Sequence, residues 1–411
     1  MKKKIIVLTA LIAGLYSCQS LSGRDGFLYT INLDRAETID SPLASELCDE
    51  VQTIILETSE NSFMSDMIMT LSRVNDRLYV FDRSPQTGGS VLEFDTNGRF
   101  IKRFGRRGRE PGEYNNLSGF AVDQANGLIY LSDNMAGQIL SYDLDSGQYI
   151  ETLSLDRNEG IVMTIAPVGD LIYSDLNSMA FDESNSMLKS WSRNDPTIEN
   201  YYLPIGKHLE GWNNVSVVGN SQFIYRSGNE YALFSNKYSP EVFKVTPEGV
   251  ENYIYIESKD FVNKKDREAI SAQRNADTGP GSSSSGFIDR FTGMRDYFET
   301  EKFISFMLLR GNSLKMFRYD KKNKTTQATN SLYNDLIVKQ EYPEAQGVAV
   351  PFYTDREGIY YYTRTRMIPR LRTAAQEGML VDNLDRLDEL KQLPDDANPV
   401  IFYLKFKEPM R

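Results

Sequence analysis

The chain carries 57 acidic against 46 basic side chains in 411 residues, a formal net charge of −11, which argues against nucleic acid or an anionic membrane surface as partner. One histidine and two cysteines rule out histidine-based metal cages and a disulfide framework, and leave a Ser-His-Asp apparatus without support. Aromatic residues are abundant, with 24 tyrosines and 21 phenylalanines.

The chain opens with Lys2, Lys3 and Lys4, then an apolar run from Ile5 to Tyr16, then Ser17-Cys18. About a dozen apolar residues are too few to span a bilayer as a mature helix but suit a signal-peptide core. Leu15-Tyr16-Ser17-Cys18 resembles the bacterial lipobox, although Tyr16 is bulky for its position. That resemblance implies cleavage before Cys18 and lipidation of its thiol; an ordinary secretory signal cut nearby is the alternative. Several acyl chains at about 0.8 kcal/mol per buried methylene make a stable anchor. Losing three lysines takes the mature charge from −11 to −14. Gln19, where an aspartate would signal inner-membrane retention, points to the outer membrane; the leaflet stays open, because residues 19–26 hold no acidic run. Cys48 is then without an intrachain partner and reads as a small buried hydrophobe. No later stretch approaches the ~20 apolar residues of a membrane helix.

Short aromatic-rich strands ending in a polar residue recur along the chain. They are LYVFD ending at Asp82, IYLSD at Asp133, LIYSD at Asp175, FIYR at Arg226, FMLLR at Arg310 and YYYTR at Arg364, spaced by 51, 42, 51, 84 and 54 residues. Between them lie VLEFDTNG from Val91, ILSYDLDSG from Ile139, VFKVTPEG from Val242 and MFRYDKKNK from Met316. Period-two alternation before a turn rich in Asp, Asn and Gly marks hairpins. Four-stranded repeats of ~40–50 residues indicate propeller blades. The expected fold is therefore all-β, a six-bladed β-propeller of four-stranded antiparallel blades. NPVIFYLKF near the C-terminus is a third strand with no fourth after it, and VQTIILE at 51–57 is a strand without partners of its own. Pairing the two would close the last blade and remove the open edge.

Residues 258–290, with the run GPGSSSSG, predict a partly helical insertion before the fifth blade. Leu380, Leu384, Leu387 and Leu390, followed by Pro394, predict a helix within a second insertion at about 366–397. The domain reading is thus a signal peptide over 1–17, a tether over 18–45 and the propeller over 46–411.

The segment from Leu78 to Leu153 resembles propellers of the NHL, YWTD and TolB-like kinds. LETS at 56–59, GRRGREPGEY at 105–114 and NPVIFYLKFK at 398–407 resemble a family of six-bladed propeller lipoproteins of Gram-negative gut bacteria, over roughly residues 45–407. The resemblance implies fold and envelope location and carries over no catalytic residue. GREPG departs from the family's more usual GKGPG at Glu110.

Candidate chemistry is sparse. Gly105 to Gly112, with Arg103, Arg106, Arg107 and Arg109, lacks the Gly-Lys-Ser/Thr ending of a phosphate loop and precedes a strand, so it reads first as a turn between blades. His208 sits in the polar link IGKHLEGW, a surface or packing position. The enzymatic alternative is a calcium-dependent, lactonase-like hydrolase with Asp82, Asp133, Asn134, Asp175 and Asn177 converging on a channel ion. Such aspartates more often cap strands and order the turns that follow them by bonding backbone N–H groups. Links between blades and loops between second and third strands open on one face, where function is usually placed. The leading expectation is a non-catalytic binding module for a glycan, peptide or protein, without a predicted cofactor. Its candidate ligand surface is Arg83, Arg106, Trp212, Arg226, Arg310, Arg364 and Arg366.

Overall fold

The repeated strands are apolar on both sides, and that decides the architecture. In Arg77–Asp82, Leu78 and Val80 pack toward one neighbouring sheet while Tyr79 and Phe81 pack toward the next. A sheet buried on both faces must be sandwiched between others, and repeating that relation around an axis gives a propeller. The computed structural model describes residues 26–408 apart from 67, 84–87, 157–161, 177–185, 206–209, 213–220, 277–288 and 312.

Six four-stranded antiparallel blades form the ring. From the inner strand outward, blade 1 comprises Ile68–Val74, Arg77–Asp82, Ser90–Asp95 and Phe100–Phe104; blade 2 Leu117–Asp123, Leu128–Asp133, Gln138–Asp143 and Tyr149–Ser154; blade 3 Ile165–Val168, Leu171–Asp175, Ser186–Ser192 and Glu199–Pro204. Blade 4 comprises Ser221–Ser227, Tyr231–Asn236, Glu241–Thr246 and Gly249–Glu257; blade 5 Phe291–Glu299, Phe303–Arg310, Ser313–Asp320 and Thr325–Thr329; blade 6 Val350–Thr354, Gly358–Thr363 and Val400–Phe406. The fourth strand of blade 6 comes from the other end of the chain. It is β3, Cys48–Ile55, preceded by β1, Tyr29–Asn32, and β2, Glu37–Thr38.

The β3 closure is the one expected from the unpaired termini, in register from Val400 opposite Ile55 to Phe406 opposite Cys48. The sequence reading did not foresee β1 and β2. Each adds a fifth, parallel strand to an outer edge, β1 on blade 4 with Tyr29 opposite Ile254, and β2 on blade 5 with Glu37 opposite Gln327. The segment from 29 to 55 is therefore a strap across three successive blades, covering edges that would otherwise present unpaired backbone groups.

Two readings need correction. FIYR, ending at Arg226, is not a second strand: Ser221–Ser227 is the inner strand of blade 4, and the true counterpart of Asp82 is Asn236, at the end of Tyr231–Asn236. Both strands of that hairpin are apolar because both are buried, so composition alone does not rank them. The second insertion carries its main helix at Ile368–Gln376 rather than along the leucine series. Gly378 takes the left-handed φ of 72° that ends it. Leu380, Leu384 and Leu390 are buried in the same cluster from irregular chain and a single turn at Leu387–Leu390. The first insertion is helical over Lys264–Ala276; GPGSSSSG lies outside the described residues.

Cys48 is wholly buried, and burial pushes its thiol up to about 12, so it is an inert packing group. Among the described residues no helix is long and apolar enough to cross a membrane.

Ile54 of β3 is fully buried between blades 6 and 1, in one cluster with Leu78, Val80, Tyr360 and Ile401. Ile54→Ala should cost about 2–4 kcal/mol in urea unfolding, whereas Glu50→Ala near the exposed start of the same strand should stay within about 0.5 kcal/mol.

Candidate functional site

The six inner strands run around a central channel from the face carrying the links between blades to the face carrying the inner hairpin turns. The channel has two halves. The link-side cavity, about 450 Å³, is lined by Ser118–Phe120, Gln222–Arg226, Met294–Tyr297 and Val350–Thr354, with Thr70, Thr164 and Arg364. The turn-side cavity, about 370 Å³, is lined by Thr70–Asn75, Phe120–Val122, Arg226–Glu230, Tyr353 and Asp355–Glu357. Thr70, Phe120, Arg226 and Tyr353 border both, forming a waist.

Charge distinguishes the two halves. On the turn side, Arg356 pairs with Glu230 at 3.7 Å. The Asp355 carboxylate accepts from the Tyr360 hydroxyl at 2.6 Å and from the backbone N–H groups of Glu357 and Gly358. Arg73 stacks 4.5 Å over Tyr403, and Glu357 lines the same cavity. Cations and anions are matched there. The link-side lining holds three arginines, Arg226, Arg295 and Arg364, and a single carboxylate, Asp296, beside Arg295.

Arg226 is held from blade 3 by its Nε donating to the Ile165 carbonyl at 3.0 Å, and its guanidinium lies 5.5 Å over Phe223. Burial lowers its pKa, opposed by Tyr353 and Asp175. Arg364 donates from Nε to the Tyr362 hydroxyl at 2.9 Å. Asp296 sits where the pairing of Phe291–Glu299 slips between Arg295 and Phe298, with a left-handed φ of 48°. Such bulges re-aim a side chain. Its carboxylate has no hydrogen-bond or ion-pair partner among the described residues, and burial pushes it up to about 6 despite Arg295.

Of the candidates read from sequence, Arg226 and Arg364 come together in the channel. The others do not. Arg310 bonds Asp289 at 2.7 Å and Asp260 at 3.3 Å. Arg366 pairs with Asp66 at 3.0 Å. Arg106 pairs with Glu113 at 2.5 Å within a small ribbon, Arg106–Arg107 against Glu113–Tyr114, so the glycine-rich stretch folds on itself. Arg83 is half-buried just beyond the second strand of blade 1. Trp212 is 5% exposed, edge-on to Tyr238 at 5.0 Å in the core between blades 3 and 4. Cys18, Asn177 and His208 lie outside the described residues.

The acids of the calcium reading act as latches. Asp82 accepts from the backbone N–H and the hydroxyl of Ser65. Asp133 accepts from the N–H groups of Asn115, Asn116, Met135 and Ala136 at 2.6–3.3 Å. Asp175 accepts from Met163 at 2.8 Å and Thr164 at 2.7 Å. Each ties the end of a second strand to the link entering its own blade. Asn134 bonds Asn116 and the Met163 sulfur. Among the described residues no group of three or more His, Cys, Asp or Glu side chains is placed to hold a metal ion. Sequence reasoning missed Arg295 and Asp296; the signal available was an adjacent Arg-Asp pair in the middle of the aromatic-rich strand FTGMRDYFE.

The model of one protein family, Domain of unknown function DUF4934, matches residues 28–405. A crystal structure of a Bacteroides fragilis NCTC 9343 protein described as exported superposes with a TM-score of 0.67 at 16% identity, over 92% of this chain and 99% of that one; this likeness shows a shared fold. A member of the DUF4221 family from Bacteroides vulgatus ATCC 8482 gives a TM-score of 0.49 at 12% identity, over 88% and 98% of the two chains. No curated protein matches the chain.

Two carboxylates should respond oppositely to removal. Asp133→Ala strands four part-buried backbone donors and should cost about 2 kcal/mol. Asp296 has its pKa raised to about 6, so the native state holds the proton more tightly than the unfolded chain, and stability is lost as pH rises through that value. Asp296→Asn should therefore raise the melting temperature at pH 7.5, with the gain closing toward pH 4. Thermal unfolding across that range checks both.

Proposed function

The chain belongs to the family of Domain of unknown function DUF4934, and from that premise we propose that it is a non-catalytic binding module of the cell envelope. Its ligand is a small molecule bearing an anionic group, held in the link-side half of the channel. The observation that carries this reading is the excess of guanidinium groups, Arg226, Arg295 and Arg364 against Asp296, lining a cavity of about 450 Å³, within a chain of net charge −11. A cavity of that size falls in the range of small-molecule sites. Positive groups kept unpaired there, against the sign of the whole molecule, are poised for charge-assisted and bidentate bonds to an anion. The calcium-dependent alternative is the weaker reading, since Asp82, Asp133 and Asp175 already spend their acceptors on backbone donors.

The location is argued from the N-terminal segment. Three lysines, a short apolar run and Ser17-Cys18 support lipid attachment at Cys18 and retention in the outer membrane, and a structural neighbour described as exported fits an envelope address. The strap leaves few residues between Cys18 and β1 at Tyr29, so the propeller would ride close to the lipid, with blade 4 nearest.

Radiolabelled palmitate should be incorporated into the full-length protein expressed in a Gram-negative host and not into Cys18→Ser; equal labelling of the two would refute lipidation at that residue. The Cys18→Ser chain then serves for ligand tests. Small carboxylates and phosphates should raise its melting temperature by a few degrees at saturating concentration, less at high salt, and neutral analogues should not. Arg226→Gln should remove the shift. A shift caused by calcium and reversed by EDTA, with none from anions, would instead support the hydrolase.

A further inference from the structure

Asp296 is the group that an anion site alone does not explain. A carboxylate in a cavity lined by three arginines weakens their hold on an anion. It also occupies a left-handed backbone conformation, φ 48°, at a bulge in the inner strand of blade 5, which strains a residue with a Cβ. It contributes no bond to the fold among the described residues. A partly buried, unpaired acceptor maintained against strain calls for a donor from outside the chain.

The donor's chemistry is constrained by the surroundings. An ionised carboxylate only accepts hydrogen bonds. An ammonium group could supply them, but it would enter a cavity that already holds Arg226, Arg295 and Arg364 and be repelled. Neutral hydroxyls meet no such opposition.

The placement of the two groups limits the ligand's shape. The Gln222 side chain donates to the Met294 carbonyl at 3.2 Å, which ties the inner strands of blades 4 and 5 together. Arg226 and Asp296 stand on those two strands, each of which carries a bulge, so a ligand that meets both carries its anionic group and its hydroxyls on one small frame, as a sugar ring does. Phe352 and Tyr362, with ring centroids 4.6 Å apart, line the same cavity and offer an apolar surface to one face of such a ring.

We propose that the link-side channel binds a sugar acid of the hexuronic type, its carboxylate on Arg226 and Arg364, its ring hydroxyls on Asp296 and one ring face against Phe352 and Tyr362. This rests on the anion-binding reading above and narrows it to one ligand class.

Titration calorimetry of the Cys18→Ser chain with glucuronate, glucose, succinate, glutamate and inorganic phosphate tests it. Glucuronate should bind at least tenfold more tightly than any of the others. Asp296→Ala should weaken glucuronate at least tenfold while tightening the weak binding of succinate, which loses an opposing charge, and Arg226→Gln should weaken both. Asp296→Asn, which keeps the shape and one acceptor, should give an intermediate loss and guards against a folding defect in the alanine variant. Succinate or phosphate binding as tightly as glucuronate, with Asp296→Ala silent, overturns the sugar-acid proposal and leaves anion binding standing. Glucose equal to glucuronate, or glutamate the tightest ligand, also overturns it. Binding by none of the anions removes both readings together.

Discussion

A ring of sheets packed face to face has a seam only where the chain starts and stops, and the pairing of β3 with Val400–Phe406 closes it. The closing strand brings more than backbone bonds. Ile54 enters the cluster shared by blades 6 and 1, so the seam is sealed by the same apolar packing that joins every other pair of blades. The inner strands of blade 6 and blade 1 then adjoin, which fixes the channel's circumference. Every distance inside the channel depends on that closure, since opening the seam would let the blades splay and separate residues contributed by different strands.

A second layer of order holds each blade to its link. Blades 1 to 3 use Asp82, Asp133 and Asp175 as acceptors for backbone N–H groups of the entering segment. Blade 5 reverses the polarity, with Arg310 on the strand and Asp260 and Asp289 on the link. Blade 6 uses a hydroxyl, Thr363 donating to the Val348 carbonyl at 2.7 Å. One mechanical task is met by three chemistries, because a link needs a charge-assisted or well-aligned bond at that point and not a particular residue. A half-ring of acids and a half-ring of arginines, which suggested an ion cage or a ligand surface in the sequence, is largely this latch.

The channel differs from the latches in leaving its charges unmet. Matched pairs at the turn side make a stable rim. The link side keeps three guanidinium groups and one strained, unpartnered carboxylate. Local strain and unsatisfied polar groups cluster where structure serves binding rather than folding, and here both fall on Asp296 in the cavity bordered by Arg226.

The sequence alone determined the blade. Period-two alternation, turn residues after third strands and the unpaired ends at 51–57 and 398–407 are local properties of the chain, and they specified six four-stranded sheets and their closure. They misplaced Arg226 within blade 4 because strands buried on both faces look alike wherever they lie in a sheet. The strap strands β1 and β2 were invisible for a related reason: parallel edge pairing of four and two residues carries no turn signal linking partners more than two hundred residues apart. Only the tertiary structure decided which charges meet. Curving six sheets about an axis selects one inner strand from each and turns a few of its side chains inward. That selection kept Arg226 and Arg364 from the sequence candidates, consigned Trp212 and Arg310 to packing and latching, and added Arg295 and Asp296 through a bulge that no periodicity announces.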